Sequence, residues 1–137
     1  MSGEIGGAVR RLVAERASFR CEYCLIHEED SYHSHHIDHV ISRKHGGDSS
    51  AENLAYACLR CNAWKGTDIG SLDVRSGRFV GLFNPRRQRW SDHFVLRGAV
   101  IEPLSSEGEA TSRLLKLNLA PRVAERWVLV KLGRYPR

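Results

Sequence analysis

The sequence predicts an α+β fold in a single domain, and three observations carry that expectation. Two Cys-x-x-Cys pairs, Cys21/Cys24 and Cys58/Cys61, stand 33 residues apart. The stretch between them reads as strand, loop, strand and helix. Beyond them the pattern changes to hairpins and then helices. At 137 residues the chain has the length of one ordinary domain with a modest core. We expect residues 1–66 to hold an N-terminal helix and a ββα core, and residues 67–137 to form a basic accessory region packed on the same domain.

Each element has a local cause. Val9, Leu12, Val13 and Ala17 recur at helical spacing, which predicts a helix over 4–18 leading into the first cysteine pair. His35 to Ile41 favours a strand and ends before Lys44-His45-Gly46-Gly47, a loop signal. Leu54-Ala55-Tyr56-Ala57 is the apolar partner strand, and Leu59 to Lys65 a short helix closed by Gly66. Ser71–Val74 and Arg78–Leu82 flank Arg75-Ser76-Gly77 as an accessory hairpin, and a second hairpin turns at Arg97-Gly98. After a Ser105-Ser106 cap, Ala110, Leu114 and Leu117 mark a helix over 107–118. Pro121 opens a last helix through Leu132, with Val123, Trp127 and Val130 expected inward, Gly133 at its end, and a frayed tail of four residues.

Composition narrows the function classes. No long apolar run occurs near the N-terminus, so neither a secretion signal nor a membrane span is expected, and a cytoplasmic location follows. Under reducing conditions paired Cys-x-x-Cys motifs favour a structural Zn²⁺ on four thiolates over disulfides. The net charge of +5 is uneven: residues 1–66 hold 8 Lys/Arg against 9 Asp/Glu, and residues 67–137 hold 13 against 7. Six arginines and a single acid, Asp92, lie between Arg75 and Arg97, which suits a polyanion. A solvated basic face explains the same charges with no partner.

The residues that carry chemistry lie between and within the cysteine pairs: His36-Ile37-Asp38-His39-Val40-Ile41, Gly46-Gly47, Asn53-Leu54, and Cys58-Leu59-Arg60-Cys61-Asn62-Ala63-Trp64-Lys65-Gly66. An Asp-His strand end, an Asn-Leu 14 residues after the histidine, and a Cys-x-x-Cys-Asn-x-x-Lys helix occur here in order. In these features the chain resembles the HNH family of nucleases over roughly Ala14 to Gly66. The downstream Leu82-Phe83-Asn84-Pro85-Arg86-Arg87 and onward to Phe94 looks like an Asn-Pro-Arg-rich extension of bacterial HNH proteins. The resemblance implies a ββα-metal (His-Me finger) core with a Cys₄ zinc site and hydrolysis of DNA phosphodiester bonds.

By the same resemblance His39 is the general base, Asp38 and Asn62 hold a catalytic Mg²⁺ or Mn²⁺, and Asn53 orients His39 across the loop. The side-chain chemistry agrees: an imidazole titrates near neutral pH, and hard oxygens suit a hard cation. His36 stands where this family usually has an acid, which leaves a third, nitrogen ligand open. Lys65 at the end of the closing helix could reach a phosphate, and Arg86, Arg87 and Arg89 are expected in a loop with guanidinium groups facing a nucleic acid, expected to be double-stranded DNA. Cutting both strands from one site per chain would suit a homodimer. A rival register takes His35-His36 as ligand and base, but makes the step to Asn53 17 residues. The bland alternative is a non-catalytic zinc module that binds nucleic acid, with Asp38 and His39 as a buried salt-bridged pair.

Overall fold

The computed structural model of the chain describes residues 5–137. In order along the chain they form α1 (Gly7–Arg16), β1 (His36–His39), β2 (Leu54–Ala57), α2 (Leu59–Lys65), β3 (Gly70–Leu72), β4 (Phe79–Gly81), α3 (Trp90–His93), β5 (Phe94–Arg97), β6 (Val100–Pro103), α4 (Ser106–Leu114) and α5 (Ala120–Lys131). The strands make three antiparallel pairs, β1 with β2, β3 with β4 and β5 with β6, so the fold is α+β. No described helix is long and apolar enough to cross a membrane.

The β1–β2 hairpin divides two cores. Its register sets Asp38 opposite Ala55 and His39 opposite Leu54. Alternation along the strands then sends Leu54 and Tyr56 to one side and Ala55 and Ala57 to the other. Leu54 and Tyr56 pack with Val13, Ala14 and Ala17 beside α1. Ala55 and Ala57 join a larger core with the four cysteines, Tyr23, Phe83, Phe94, Ile101, Ala110, Leu115 and Leu117. Asp38 therefore lies on the strand face that looks into the cysteine-rich core.

The central elements fall where the sequence predicts them. β2 and α2 have the expected bounds, and α2 stops at Gly66, whose φ of 52° few other residues adopt. Both predicted hairpins form, the second turning through Gly98. Ser105 caps α4 by accepting from the Gly108 amide at 3.0 Å. The predicted start of the first helix at residue 4 lies outside the described residues, and the helix ends at Arg16 because Ser18 and Phe19 take positive φ. α4 likewise ends at Leu114, ahead of the positive φ at Lys116.

Two expectations near the C-terminus are overturned. The inward face of α5 is formed by Arg122 and Arg126, both buried, whereas Trp127 is 47 % exposed. Hydrophobic spacing misleads here because those guanidinium groups find sulfur and carbonyl partners in the interior. The last four residues are not frayed. Tyr135 is buried and donates its hydroxyl to the Cys24 carbonyl at 2.7 Å, while Arg134 and Arg137 pair with Asp30 and Glu29.

Candidate functional site

Cys21 and Cys24 sit in a tight turn after α1, Cys58 is the N-cap of α2, and Cys61 lies in its first turn. All four are free and buried, and their sulfurs lie within 4.8 Å of one another. The Cys24 and Cys58 sulfurs are 3.7 Å apart. That is far beyond a disulfide bond and close to the edge of a tetrahedron with Zn–S bonds of about 2.3 Å. Backbone amides point at the sulfurs: Tyr23 and Cys24 donate to Cys21 Sγ, and Cys61 to Cys58 Sγ, each at 3.4 Å. Arg122 Nη2 donates to Cys61 Sγ at 3.1 Å and reaches Cys58 Sγ at 3.7 Å. Donors aimed at sulfur from several sides fit anionic thiolates, and the donor set fits a zinc site with no open position.

Asp38 is 3 % exposed and is held by both cysteine turns. Tyr23, between Cys21 and Cys24, donates its hydroxyl to Oδ2 at 2.8 Å. Lys65, the last residue of α2, sets its ammonium 3.2 Å from Oδ2 and 3.3 Å from Oδ1, and donates to the His39 carbonyl at 3.0 Å. Burial pushes the Asp38 carboxyl above its ordinary range, with Lys65 pulling the other way. Lys65 is itself 1 % exposed, which corrects the expectation that it reaches a phosphate. A carboxylate buried in this core needs a cation, and Lys65 supplies it. Oδ1 accepts only from Lys65 among the described residues. Asn62, the other expected oxygen ligand, is partly buried and follows Cys61 in α2.

His39 ends β1 and is partly buried, with Nε2 2.9 Å from Ser49 Oγ. Burial lowers its pKa below the ordinary histidine value, against the opposing charge of Asp38. Asn53 makes no hydrogen bond to His39. It staples the loop between them: Oδ1 accepts from the Ile41 amide at 2.9 Å, and Nδ2 donates to the carbonyls of Ile41 at 2.9 Å and Asp48 at 2.7 Å. Ser49 follows Asp48, so Asn53 reaches the imidazole only through the loop that carries Ser49. The Gly46-Gly47 pair has its reason here. A Cβ on Gly47 would stand 1.8 Å from the Ile41 carbonyl oxygen and 2.8 Å from Asn53 Nδ2, so only glycine lets the loop close on that staple.

The remaining expected residues differ in their exposure. His36 is partly buried and shares the Asp38 side of β1 by alternation. His35, the ligand of the rival register, packs edge-on against Tyr56 with Nε2 3.0 Å from the Ile26 carbonyl. Arg86 turns inward and pairs with Glu22, whereas Arg87 and Arg89 are exposed. Arg86, Arg87, Arg89 and His93 help line one open concavity of about 560 Å³. The sequence reading missed Tyr23, Ser49 and Arg122. Tyr23 and Ser49 carry no spacing signal, and Arg122 lies 61 residues beyond Cys61.

No curated protein and no solved structure matches the chain. The segment that contains both cysteine pairs, Asp38, His39, Asn53, Asn62 and Lys65 does match: residues 21–68, about a third of the chain, fit the family model described as HNH endonuclease.

Proposed function

We propose that the chain is a metal-dependent endonuclease that hydrolyses phosphodiester bonds of double-stranded DNA, with His39 as general base and Asp38 and Asn62 as the protein ligands of one divalent cation. The observation that carries this reading is His39 itself. Within the HNH-matching segment, its Nε2 is engaged by Ser49 and its pKa is lowered; in the tautomer whose Nε2–H donates to Ser49, Nδ1 is the nitrogen that takes a proton from water. Neutral imidazole is the form a base needs near pH 7. Tyr23 and Lys65 fix the Asp38 carboxylate, and Asn53 fixes the loop that holds Ser49 on His39. When bound, Mg²⁺ or Mn²⁺ would supply charge stabilisation for the phosphoryl group. Arg87 and Arg89 extend from the same domain as exposed cations for backbone phosphates. A homodimer would place two such sites on opposite strands.

The second reading is a non-catalytic zinc module that binds nucleic acid. It is favoured by the compensation of Asp38 within the core, where Lys65 and Tyr23 already satisfy the carboxylate. Supercoiled plasmid incubated with Mg²⁺, Mn²⁺ or EDTA separates the two. Metal-dependent nicking lost in His39→Ala supports the endonuclease, and binding without nicking under every metal supports the module.

A further inference from the structure

We propose that Arg122 is a working part of the four-cysteine centre: it is the counter-cation of the zinc–thiolate cluster and ties α5 and the tail behind it to zinc occupancy. Four thiolates around Zn²⁺ carry a net charge of −2, and all four cysteines are 5 % exposed or less. A buried charge needs a paired charge. The three amide N–H groups on Cys21 and Cys58 provide dipoles, not charge. Arg122 is the cation in contact with the sulfurs. It is 4 % exposed, with Nη2 on Cys61 and Cys58 and Nη1 on the Leu115 carbonyl at 2.7 Å, and it lies 5.4 Å from the Trp64 ring centre. Beside four neutral thiols the same guanidinium would be a buried cation with carbonyls and a ring for partners. The geometry is economical only when the sulfurs are anionic.

The rest of the C-terminal segment follows that contact. One turn along α5, Arg126 donates to the carbonyls of Ala99 and Leu117, each at 2.8 Å. Tyr135 donates to Cys24 O, and Arg134 and Arg137 reach Asp30 and Glu29 beside the first cysteine turn. Zinc loaded on the cysteines would therefore hold α5 through Arg122. This inference rests on the zinc site and is independent of catalysis.

The test compares zinc release from the full chain and from Arg122→Gln, which keeps donors but no charge, and Arg122→Lys, which keeps charge, under excess chromogenic chelator. Changes to the partners of metal ligands commonly alter metal affinity 10–100-fold. We expect release from Arg122→Gln to be at least about tenfold faster than from the unaltered chain, with Arg122→Lys between them. Equal rates in all three, or equally fast release from both variants, would overturn the counter-cation role. Should Arg122→Gln not fold, the unaltered chain loaded with ¹¹³Cd²⁺ gives a second readout. Slowly exchanging Arg122 guanidinium protons coupled to the metal across the N–H···S contact are expected. Protons that exchange as fast as those of an exposed arginine would refute the proposal.

Discussion

Replacing Lys65 by Met removes one cation while keeping most of the side-chain volume. In the folded chain the ammonium lies 3.2 and 3.3 Å from the two Asp38 oxygens and 3.0 Å from the His39 carbonyl, and both partners of the ion pair are all but buried. Breaking a buried pair on one side leaves an uncompensated charge and costs about 3–5 kcal/mol. For a chain of this size that is a fall in melting temperature of roughly 10–15 °C. The exposed Arg97–Glu102 pair is the internal control, since Arg97→Ala should cost under about 1 kcal/mol.

The pH dependence of that loss has a definite sign. Burial already holds the Asp38 carboxyl above its usual range, and Lys65 opposes the rise. Without Lys65 the folded-state pKa moves further above the unfolded value of about 3.9, so the folded chain binds the proton more tightly. The stability deficit of Lys65→Met should be largest above that folded-state pKa and should shrink as pH falls through it. Urea unfolding of both proteins across pH 4–8 measures this. A deficit under about 1 kcal/mol at pH 7, or one that grows on acidification, would refute the reasoning.

Asn53→Ala removes three hydrogen bonds that close the Ile41–Asp48 loop, at about 1 kcal/mol each, and frees Ser49 from its place on His39. Its cleavage rate should fall with no change in the divalent-ion midpoint; a shifted midpoint would make Asn53 a ligand. Arg87→Ala with Arg89→Ala should lower the salt slope of duplex binding by about 0.9 per lost phosphate contact while the rate at saturating DNA is kept; an unchanged slope would show that neither arginine touches phosphate. Stripping zinc should unfold the larger core, because the four cysteines lie inside it, and circular dichroism should follow metal loss; a native spectrum in metal-free protein would contradict a structural zinc.

The sequence was most legible where a local rule acts. The cysteine spacing, the apolar run of β2 and the glycines at turns led to the ββα unit because metal-ligand spacing, strand burial and positive φ are all local constraints. The site was legible in its residue types and less so in their contacts. Asn53 and His39 were placed in one loop system, but the hydrogen bonds of Asn53 go to backbone, which no side-chain motif encodes. Lys65 looks like a surface lysine at a helix end, and only tertiary burial of Asp38 turns it inward. The face of α5 was misread for a similar reason. Hydrophobic periodicity assumes that arginine faces water, and here buried sulfurs and free carbonyls attract Arg122 and Arg126 instead.

Whether His39 accepts a proton during phosphodiester hydrolysis is decided by nicking of supercoiled plasmid by the chain and by His39→Ala, with Mg²⁺, Mn²⁺ or EDTA. Metal-dependent nicking by the unaltered chain is expected, with a loss of about 10²–10⁴-fold in the variant and with zinc content and duplex binding retained. Nicking by His39→Ala at the rate of the unaltered chain, or no nicking by either protein with any metal, would contradict that role of His39.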